Sequence, residues 1–476
     1  MLWVSFATII GKMLSFVSQI ALGYLLAVEV YAVFALAAGA MALIGGFQNA
    51  SVSKHLVRNR NRFEELFPQC SGFTFQFGII GALILVGVGG AFSKLYSMPE
   101  LFGVLLLTSL SVPLIAVNTT LVASLSIGYS FREINLSEAL KSVAYYTTLV
   151  AAAYLGSGIF TVAIATVVGA VVAHLLLRGV SGHCPDYFRF NLREFRRIAF
   201  DLRWILLSGF LFALAIRADY FVLWKVLPVD QMGFYAFAFM LVTSLTIPVS
   251  AGINQVFLPI FSSLQADLRR LRHEVVRFSS VIVILGSFLC LGILGVSSTL
   301  VHLAWGGKWD AAAFVINILV AVMPLRFLST ISGVGLESTG HWRMRNMLLL
   351  LEFLLLASLA LVGAVFWGLT GAILGVVLQR GLSGIVNFCV LGKVVGSRFS
   401  ASVLSMLRLY VPFYISVGIL FGFSYDRHIS DATVAGLGLA SVETLVTFAL
   451  FAGLTSLLSR DFSRATFEFL MKKVKR

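Results

Sequence analysis

Apolar runs of about twenty residues recur along the chain, separated by short stretches that carry most of its charge. A run of that length crosses a bilayer as a helix, because the hydrocarbon core is about 30 Å thick and each residue rises about 1.5 Å. The pattern predicts fourteen spans. Seven lie near 3–26, 30–52, 71–92, 101–125, 136–155, 158–178 and 204–225. Seven more lie near 232–261, 278–303, 311–335, 346–366, 370–392, 409–425 and 433–458. The runs do not alternate in tens, as barrel strands would.

A repeat organises these spans. LAVEVYAVFALAAG at 26–39 matches LPVDQMGFYAFAFM at 227–240 at an offset of 201. Leu26 meets Leu227, Val28 meets Val229 and Glu29 meets Asp230. Ala32, Phe34, Ala35 and Ala37 meet Gly233, Tyr235, Ala236 and Ala238. Each copy is an apolar run, a short acidic turn and a second apolar run rich in small residues. One copy joins spans one and two, the other spans seven and eight. Spans 1–6 and 7–12 therefore read as two copies of a six-helix unit. Six is even, so both copies enter the membrane in the same sense, related by an axis along its normal. The expected domains are an amino-terminal lobe at 1–180, a linker at 181–203, a carboxy-terminal lobe at 204–392, and an addition at 393–476. The addition holds spans 13 and 14 and a basic tail.

Composition sets the class. Of 476 residues, 59% are hydrophobic and 12% charged, against about 25% charged in a soluble domain. The expected fold class is an all-α polytopic membrane protein. A net charge of +14 does not point to nucleic acid here, because the basic residues sit in short loops. With a cytoplasmic amino terminus, 27 of the 35 Lys and Arg fall on cytoplasmic loops and the tail. Only Lys94, Lys225, Lys308 and Arg427 fall outside, a bias that orients the chain in the cell's inner membrane with both termini cytoplasmic. The opening segment has no basic start, and Lys12 interrupts its apolar run, so it reads as a retained first span. In the linker, NLREFRRIAFDLRW places Asn191 and Glu194 as a capping box, with Phe195, Ile198, Ala199 and Leu202 on one face. It predicts an interfacial amphipathic helix, and RDFSRATFEFLMKKVKR at the end predicts another. A plain solvated basic segment is the alternative for both.

Enzyme chemistry finds no footing. The chain has no GxxxxGK[ST] phosphate loop, no HExxH and no GxSxG elbow. Its four cysteines (Cys70, Cys184, Cys290 and Cys389) have neither metal nor disulfide spacing. No cofactor is expected. What remains is polar residues inside the spans, where a central charge costs about 2.5–3.5 kcal/mol on insertion scales. Lys12 lies in the first span, Arg217 and Asp219 in the seventh, and Arg326 follows Pro324 in the tenth. Gln379 and Arg380 sit in the twelfth, and Gln19, Gln48, Asn49, Asn254 and Gln255 add amides to spans one, two and eight. Deep cations outnumber the acids Asp219, Glu352 and Glu443, which points to an anionic substrate. A diphosphate suits guanidinium groups, which bind it bidentately. Structural roles are the alternative. Lys12 can snorkel, Arg217 and Asp219 can join interhelical ion pairs, and amides can tie neighbouring helices. Glu352, near a helix start, reads as snorkelling, and Glu443 as a packing or partner residue.

Several stretches in order resemble the polysaccharide transporter (oligosaccharide flippase) family of the multidrug/oligosaccharidyl-lipid/polysaccharide flippase superfamily. They are LAVEVYAVFALA at 26–37, RADYFVLWKVLPVDQMGFYAFA at 217–238, FLPIFSSLQAD at 257–267, GGKWDAA at 306–312 and GVGLESTGHWRMRN at 333–346. The resemblance implies two six-helix lobes in a V around a central cavity, with Lys12, Gln19, Arg217 and Asp219 lining it. It implies movement of an undecaprenyl-diphosphate-linked oligosaccharide, a polysaccharide repeat unit, from the cytoplasmic to the periplasmic leaflet by alternating access. Gln19 stands where related lipid II flippases carry cavity arginines. The implied partners are membrane lipids, a polysaccharide polymerase and glycosyltransferases. Without an ATP site, the drive comes from an H⁺ or Na⁺ gradient or from consumption of product. A cation-coupled multidrug exporter on the same fold is the alternative. It wants a deep acid in the first six spans, where Glu29 and Glu138 lie only at span ends. A membrane enzyme would need a large external loop or an embedded His or Asp–Arg constellation.

Overall fold

In the computed structural model, residues 2–48, 52, 56, 60–189, 192–396, 410–422 and 434–458 are described. Among them the regular structure is helical throughout. The helices are α1 (Leu2–Leu25), α2 (Val28–Gln48), α3 (Phe63–Leu95), α4 (Pro99–Ser109), α5 (Val112–Ile127), α6 (Phe131–Tyr154) and α7 (Thr161–Ser181). They continue with α8 (Leu192–Leu223), α9 (Val229–Ser263), α10 (Leu268–Trp305), α11 (Asp310–Ala321), α12 (Met323–Ser338) and α13 (Trp342–Val394). The last two are α14 (Tyr410–Gly422) and α15 (Val434–Leu458). Among the described residues, 9 helical stretches are long and apolar enough to cross a membrane, or 10 with the bent pair α11–α12. In its described residues, each of the expected spans falls on helix. The chain is a polytopic all-α membrane protein.

Contacts divide the chain into two compact units, Met1–Ala236 and Phe237–Arg476. The boundary falls inside α9, beyond the 181–203 stretch. In the first unit α2 packs on α8, α1 on α6, α3 on α5, and α7 on both α5 and α6. In the second, α12 packs on α13, and α10 meets α11, α12 and α15.

The repeat is visible in the helix starts. α2 begins at Val28 and α9 at Val229, with Glu29 and Asp230 in their first turns. An acid there meets the partial positive charge of a helix amino terminus. Ala32, Phe34, Ala35 and Ala37 are buried, as are their counterparts Tyr235, Ala236 and Ala238.

The structure differs from expectation between 181 and 203. Residues 192–203 are the first turns of α8, a continuous helix of 32 residues. No helix breaker separates them from the apolar run that follows. Residues 182–189 instead form a loop laid on α3. The Asp186 amide donates to Ser71 Oγ at 3.0 Å, and Gln76 Nε2 donates to the Tyr187 carbonyl at 3.3 Å. The His183 ring lies 5.2 Å from both Phe63 and Phe67. The helix expected at 460–476 lies outside the described residues.

Several sequence elements acquire physical roles. Asp267 caps α10 by accepting the Arg270 N–H. Trp309, in GGKWDAA, is fully buried and stacks on Phe237 with centroids 4.0 Å apart. α11 and α12 meet at a 46° bend, with Pro324 at the start of α12. Within α13 the chain reverses at Trp367–Gly368, and Gly368 takes φ 60° and ψ −142°, a conformation open essentially to glycine alone. α13 is thus a hairpin, and its two limbs are the eleventh and twelfth expected spans.

Close helix crossing also depends on glycine. A Cβ on Gly46 of α2 would run into the Gly209 carbonyl of α8, and one on Gly209 into the Gly46 carbonyl. Gly209→Val must push these helices apart, and overpacking of this kind costs about 1–3 kcal/mol. The purified protein in detergent is expected to unfold several degrees lower. Gly90→Ala, where a Cβ meets open space, is expected to leave the unfolding temperature unchanged or raise it. Equal unfolding temperatures for Gly209→Val and wild type would contradict the close crossing.

Candidate functional site

In the first unit the site is built around a buried acid. Asp219 on α8 is fully buried, and a buried carboxylate requires donors. Its Oδ1 accepts the Tyr220 amide at 3.0 Å, and its Oδ2 accepts a short hydrogen bond from the Tyr235 hydroxyl. Tyr235 comes from the early turns of α9, and its ring meets the Tyr220 ring edge-on at 6.0 Å. Arg217 Nη1 donates to the Tyr220 hydroxyl at 3.0 Å, and its guanidinium carbon lies 5.3 Å from that ring's centroid. Arg217 and Asp219 sit on different faces of α8, yet Tyr220 connects them. The arrangement fixes a partly buried cation beside a buried carboxylate.

The tyrosines are what sequence reasoning missed. The signal was present in the repeat. Tyr235 aligns with Phe34, so the other copy lacks its hydroxyl at that position. At the same offset of 201, Asp219 and Tyr220 meet Ser18 and Gln19 of α1, both buried. Gln19 Oε1 has no hydrogen-bond partner among the described residues.

In the second unit the polar residues form a network across the α13 hairpin. Asn387 Nδ2 donates to Glu352 Oε1 and to Ser329 Oγ, both at 2.6 Å. Arg345 Nη1 lies 3.6 Å from Glu352 Oε1, and Arg345 Nε lies 3.7 Å from Glu337 Oε1. Gln379 Nε2 donates to the Glu352 carbonyl at 3.2 Å and to Ser383 Oγ at 2.8 Å. Gly333 leaves room for the Arg345 guanidinium, 3.0 Å from where a Cβ would stand. Glu352 therefore does not snorkel. It turns toward the second limb, where Asn387 donates to it, and Arg345 on its own limb offsets its charge. Arg345, read from sequence as a loop residue, lies in α13 and is buried.

The remaining expected residues are dispersed. Arg380 is buried at 3% exposure, with its guanidinium carbon 4.8 Å from the Phe239 ring, a cation–π distance. Arg326 lies just past the α11–α12 bend, partly buried. Asn254 is exposed and donates to its own helix at the Ser250 carbonyl, 2.9 Å away. Lys12, Gln48 and Gln255 lie on helices, but their side chains fall outside the described ones, and Asn49 lies outside the described residues. A separate cavity of about 500 Å³ opens between α5, α6 and α7. Its polar lining is Asn118, Thr119, Glu138, Lys141, Tyr145 and Thr166, none of them singled out in the sequence as a site residue.

A family model described as polysaccharide biosynthesis protein matches residues 21–314. The lipopolysaccharide biosynthesis protein WzxC of Escherichia coli (strain K12) is 25% identical over 292 residues, 60% of this chain and 58% of that protein. The teichuronic acid biosynthesis protein TuaB of Bacillus subtilis (strain 168) is 25% identical over 224 residues, 44% of each chain. The matched stretches thus span between two-fifths and three-fifths of these relatives. Among solved structures, the lipid II flippase MurJ in an inward closed conformation superposes with a TM-score of 0.73 at 12% identity, covering 97% of this chain and 99% of that one. An outward-facing multidrug resistance MATE transporter superposes with a TM-score of 0.60 at 16% identity, covering 84% and 95%. At these identities the structures show a shared fold.

The two polar clusters differ in what they protect. Tyr235→Phe removes one donor from a buried carboxylate, at a cost of about 1–3 kcal/mol. Glu352→Ala leaves Arg345 buried without its closer acid, which costs about 3–5 kcal/mol. Thermal unfolding in detergent is expected to fall in both variants, and further in Glu352→Ala. Wild-type stability of Glu352→Ala would mean that the network does not hold the hairpin together.

Proposed function

We propose, because the chain belongs to the polysaccharide biosynthesis protein family, that it moves an undecaprenyl-diphosphate-linked oligosaccharide from the cytoplasmic to the periplasmic leaflet. The observation that carries this reading is the family match laid over a polytopic helical chain. The matched window runs from the last turn of α1 through α2 and α8 and so includes the Arg217–Asp219 cluster. The shared fold with a lipid II flippase supports it.

The mechanism follows from the chemistry of the cargo. The diphosphate needs a cation that keeps its charge, and a guanidinium does so at any working pH. Arg217 is the proposed diphosphate contact. Tyr220 orients it, and Asp219 with Tyr235 holds Tyr220 in place. Lys12, Gln19, Gln48, Asn49, Asn254, Gln255 and Arg326 are proposed to line the path. Gln379 and Arg380 are proposed as further path residues; Gln379 ties the two limbs of α13 and Arg380 meets Phe239 of α9. Alternating exposure of two lobes would carry the sugar and diphosphate through while the polyprenyl tail stays in lipid. The distribution of basic residues supports an inner-membrane location with both termini cytoplasmic. An H⁺ or Na⁺ gradient, or removal of product by a polymerase, would supply the direction. Glycosyltransferases would supply the substrate. Multidrug export is the second reading, favoured only by the fold shared with a MATE transporter.

A deletion strain decides between them. Lipid-linked oligosaccharide is expected to accumulate on the cytoplasmic leaflet, with loss of surface polysaccharide. The intact gene should restore export. Arg217→Ala should restore roughly a tenth of it or less, the effect of losing one charge-assisted contact, at normal protein level. Unchanged polysaccharide with heightened sensitivity to cationic drugs would reject the flippase reading.

A further inference from the structure

The cavity between α5, α6 and α7 takes no part in the clusters described above. Its volume of about 500 Å³ lies within the range of small-molecule sites, roughly 300–1,000 Å³. Glu138, Lys141 and Tyr145 line it from α6, and Thr166, Gly169, Ala170 and Ala173 from α7. These spacings of three and four mark one face of each helix. The exposed apolar residues Leu136, Leu140 and Val143 of α6, and Val171 and Leu175 of α7, lie on the opposite faces. Those opposite faces meet lipid, so the cavity looks into the unit.

Its polar groups form two tiers. At one end Lys141 Nζ lies 2.6 Å from Glu138 Oε1, a closed ion pair. Further along the helices lie the uncharged side chains of Asn118, Thr119, Tyr145 and Thr166. Asn118 is held from behind. His174 Nδ1 lies 2.9 Å from its Oδ1, and His174 Nε2 lies 2.9 Å from the Tyr187 hydroxyl. A neutral imidazole that gives its Nδ1 proton to Asn118 and accepts from Tyr187 satisfies all three groups. The Asn118 amide N–H₂ is not used by that pair, and Asn118 is part of the cavity lining.

The three parts of the proposed substrate make different demands. A diphosphate needs net positive charge, but Lys141 is the one cation in the lining and Glu138 neutralises it. A polyprenyl chain needs an apolar wall open to lipid, whereas this cavity turns away from lipid and carries four uncharged hydrogen-bonding side chains. A sugar needs uncharged donors and acceptors beside apolar surface for its C–H faces. The cavity supplies these as Asn118, Thr119 and Thr166 beside Ile115, Val122 and the Tyr145 side chain. We infer that this cavity is a saccharide subsite that takes a pyranose unit of the oligosaccharide head group. The inference rests on the flippase reading. It assigns sugar recognition to α5, α6 and α7, and diphosphate recognition to α8.

The test uses the full chain in lipid nanodiscs and two calorimetric titrations. One ligand is the neutral oligosaccharide released by mild acid from the host's lipid-linked precursors. The other is undecaprenyl diphosphate without sugar. Ala170→Phe fills the cavity, and is expected to weaken saccharide binding at least about tenfold, a loss of one or two hydrogen-bonded contacts. Thr119→Val keeps the shape of a side chain whose hydroxyl donates only within its own helix, to the Ala116 carbonyl at 2.7 Å. It removes an acceptor from the cavity and should weaken saccharide binding roughly three- to tenfold. Both variants should bind undecaprenyl diphosphate within about twofold of wild type, since the lining of the cavity carries no net charge for it. Unchanged saccharide affinity in Thr119→Val and Ala170→Phe overturns the subsite, as does a wild type that does not bind the saccharide. Parallel loss of both ligands in the near-isosteric Thr119→Val overturns it too. None of these results touches the flippase reading, which the export assay decides separately.

Discussion

A bilayer offers no water to a carboxylate or an amide inside it, so each polar group buried there must find its partner in the protein. The two units meet that demand differently. In the first, Asp219 takes its donors from a backbone amide and from Tyr235, and the fully buried acid thereby links the ends of α8 and α9. In the second, the α13 hairpin brings Glu352 opposite Asn387 and next to Arg345, with Ser329 of α12 closing the group. Each cluster ties together helices that hydrophobic contact alone would leave free to slide, because apolar side chains pack no better against one another than against lipid.

The architecture was largely legible because the signal behind it is long and redundant. A twenty-residue apolar run survives an error of several positions, and each predicted span falls on helix in its described residues. The aligned residues Val28 and Val229 each start a helix with an acid in its first turn, as the sequence match suggests. Breaks within spans were harder. The span expected at 101–125 is α4 and α5, parted after Ser109 with Pro113 opening the second piece, and that at 311–335 is α11 and α12, parted before Pro324. Hydropathy averaged over a window passes over such breaks, although both prolines were in view.

Partnership across sequence distance was not legible. The pair Glu352 and Asn387 depends on where the α13 hairpin turns and on how its limbs are rotated. A one-residue change in the turn at Gly368 would rotate one of them out of reach. Lone polar residues drew attention because charge in a membrane is conspicuous. Their partners Tyr220, Tyr235, Ser329 and Asn387 did not, because a tyrosine, serine or asparagine in a span is ordinary. The α5–α7 cavity was hidden for the same reason, since threonine, alanine and glycine at spacings of three and four read first as close helix packing.

The repeat explains why the first cluster has the residues it has. At one offset Ser18 corresponds to Asp219 and Phe34 to Tyr235, and all four are buried. The two differences belong together. An aspartate opposite a phenylalanine would leave a buried carboxylate without its hydroxyl donor, and a tyrosine opposite a serine would exchange a strong, charge-assisted hydrogen bond for a weak neutral one. Either change alone is unfavourable, whereas both made together give a satisfied pair that can remain in the membrane. The carboxy-terminal copy also carries Arg217, where the offset places Phe16 in the other copy. The copies share a frame of small and aromatic residues, and the acid, its donor and the cation occur on one copy only. The charged cluster thus lies on α8 and the first turns of α9, where the other copy of the sequence repeat has uncharged residues. That placement makes α8 the helix on which a change in the cation would be felt by a buried acid two residues away.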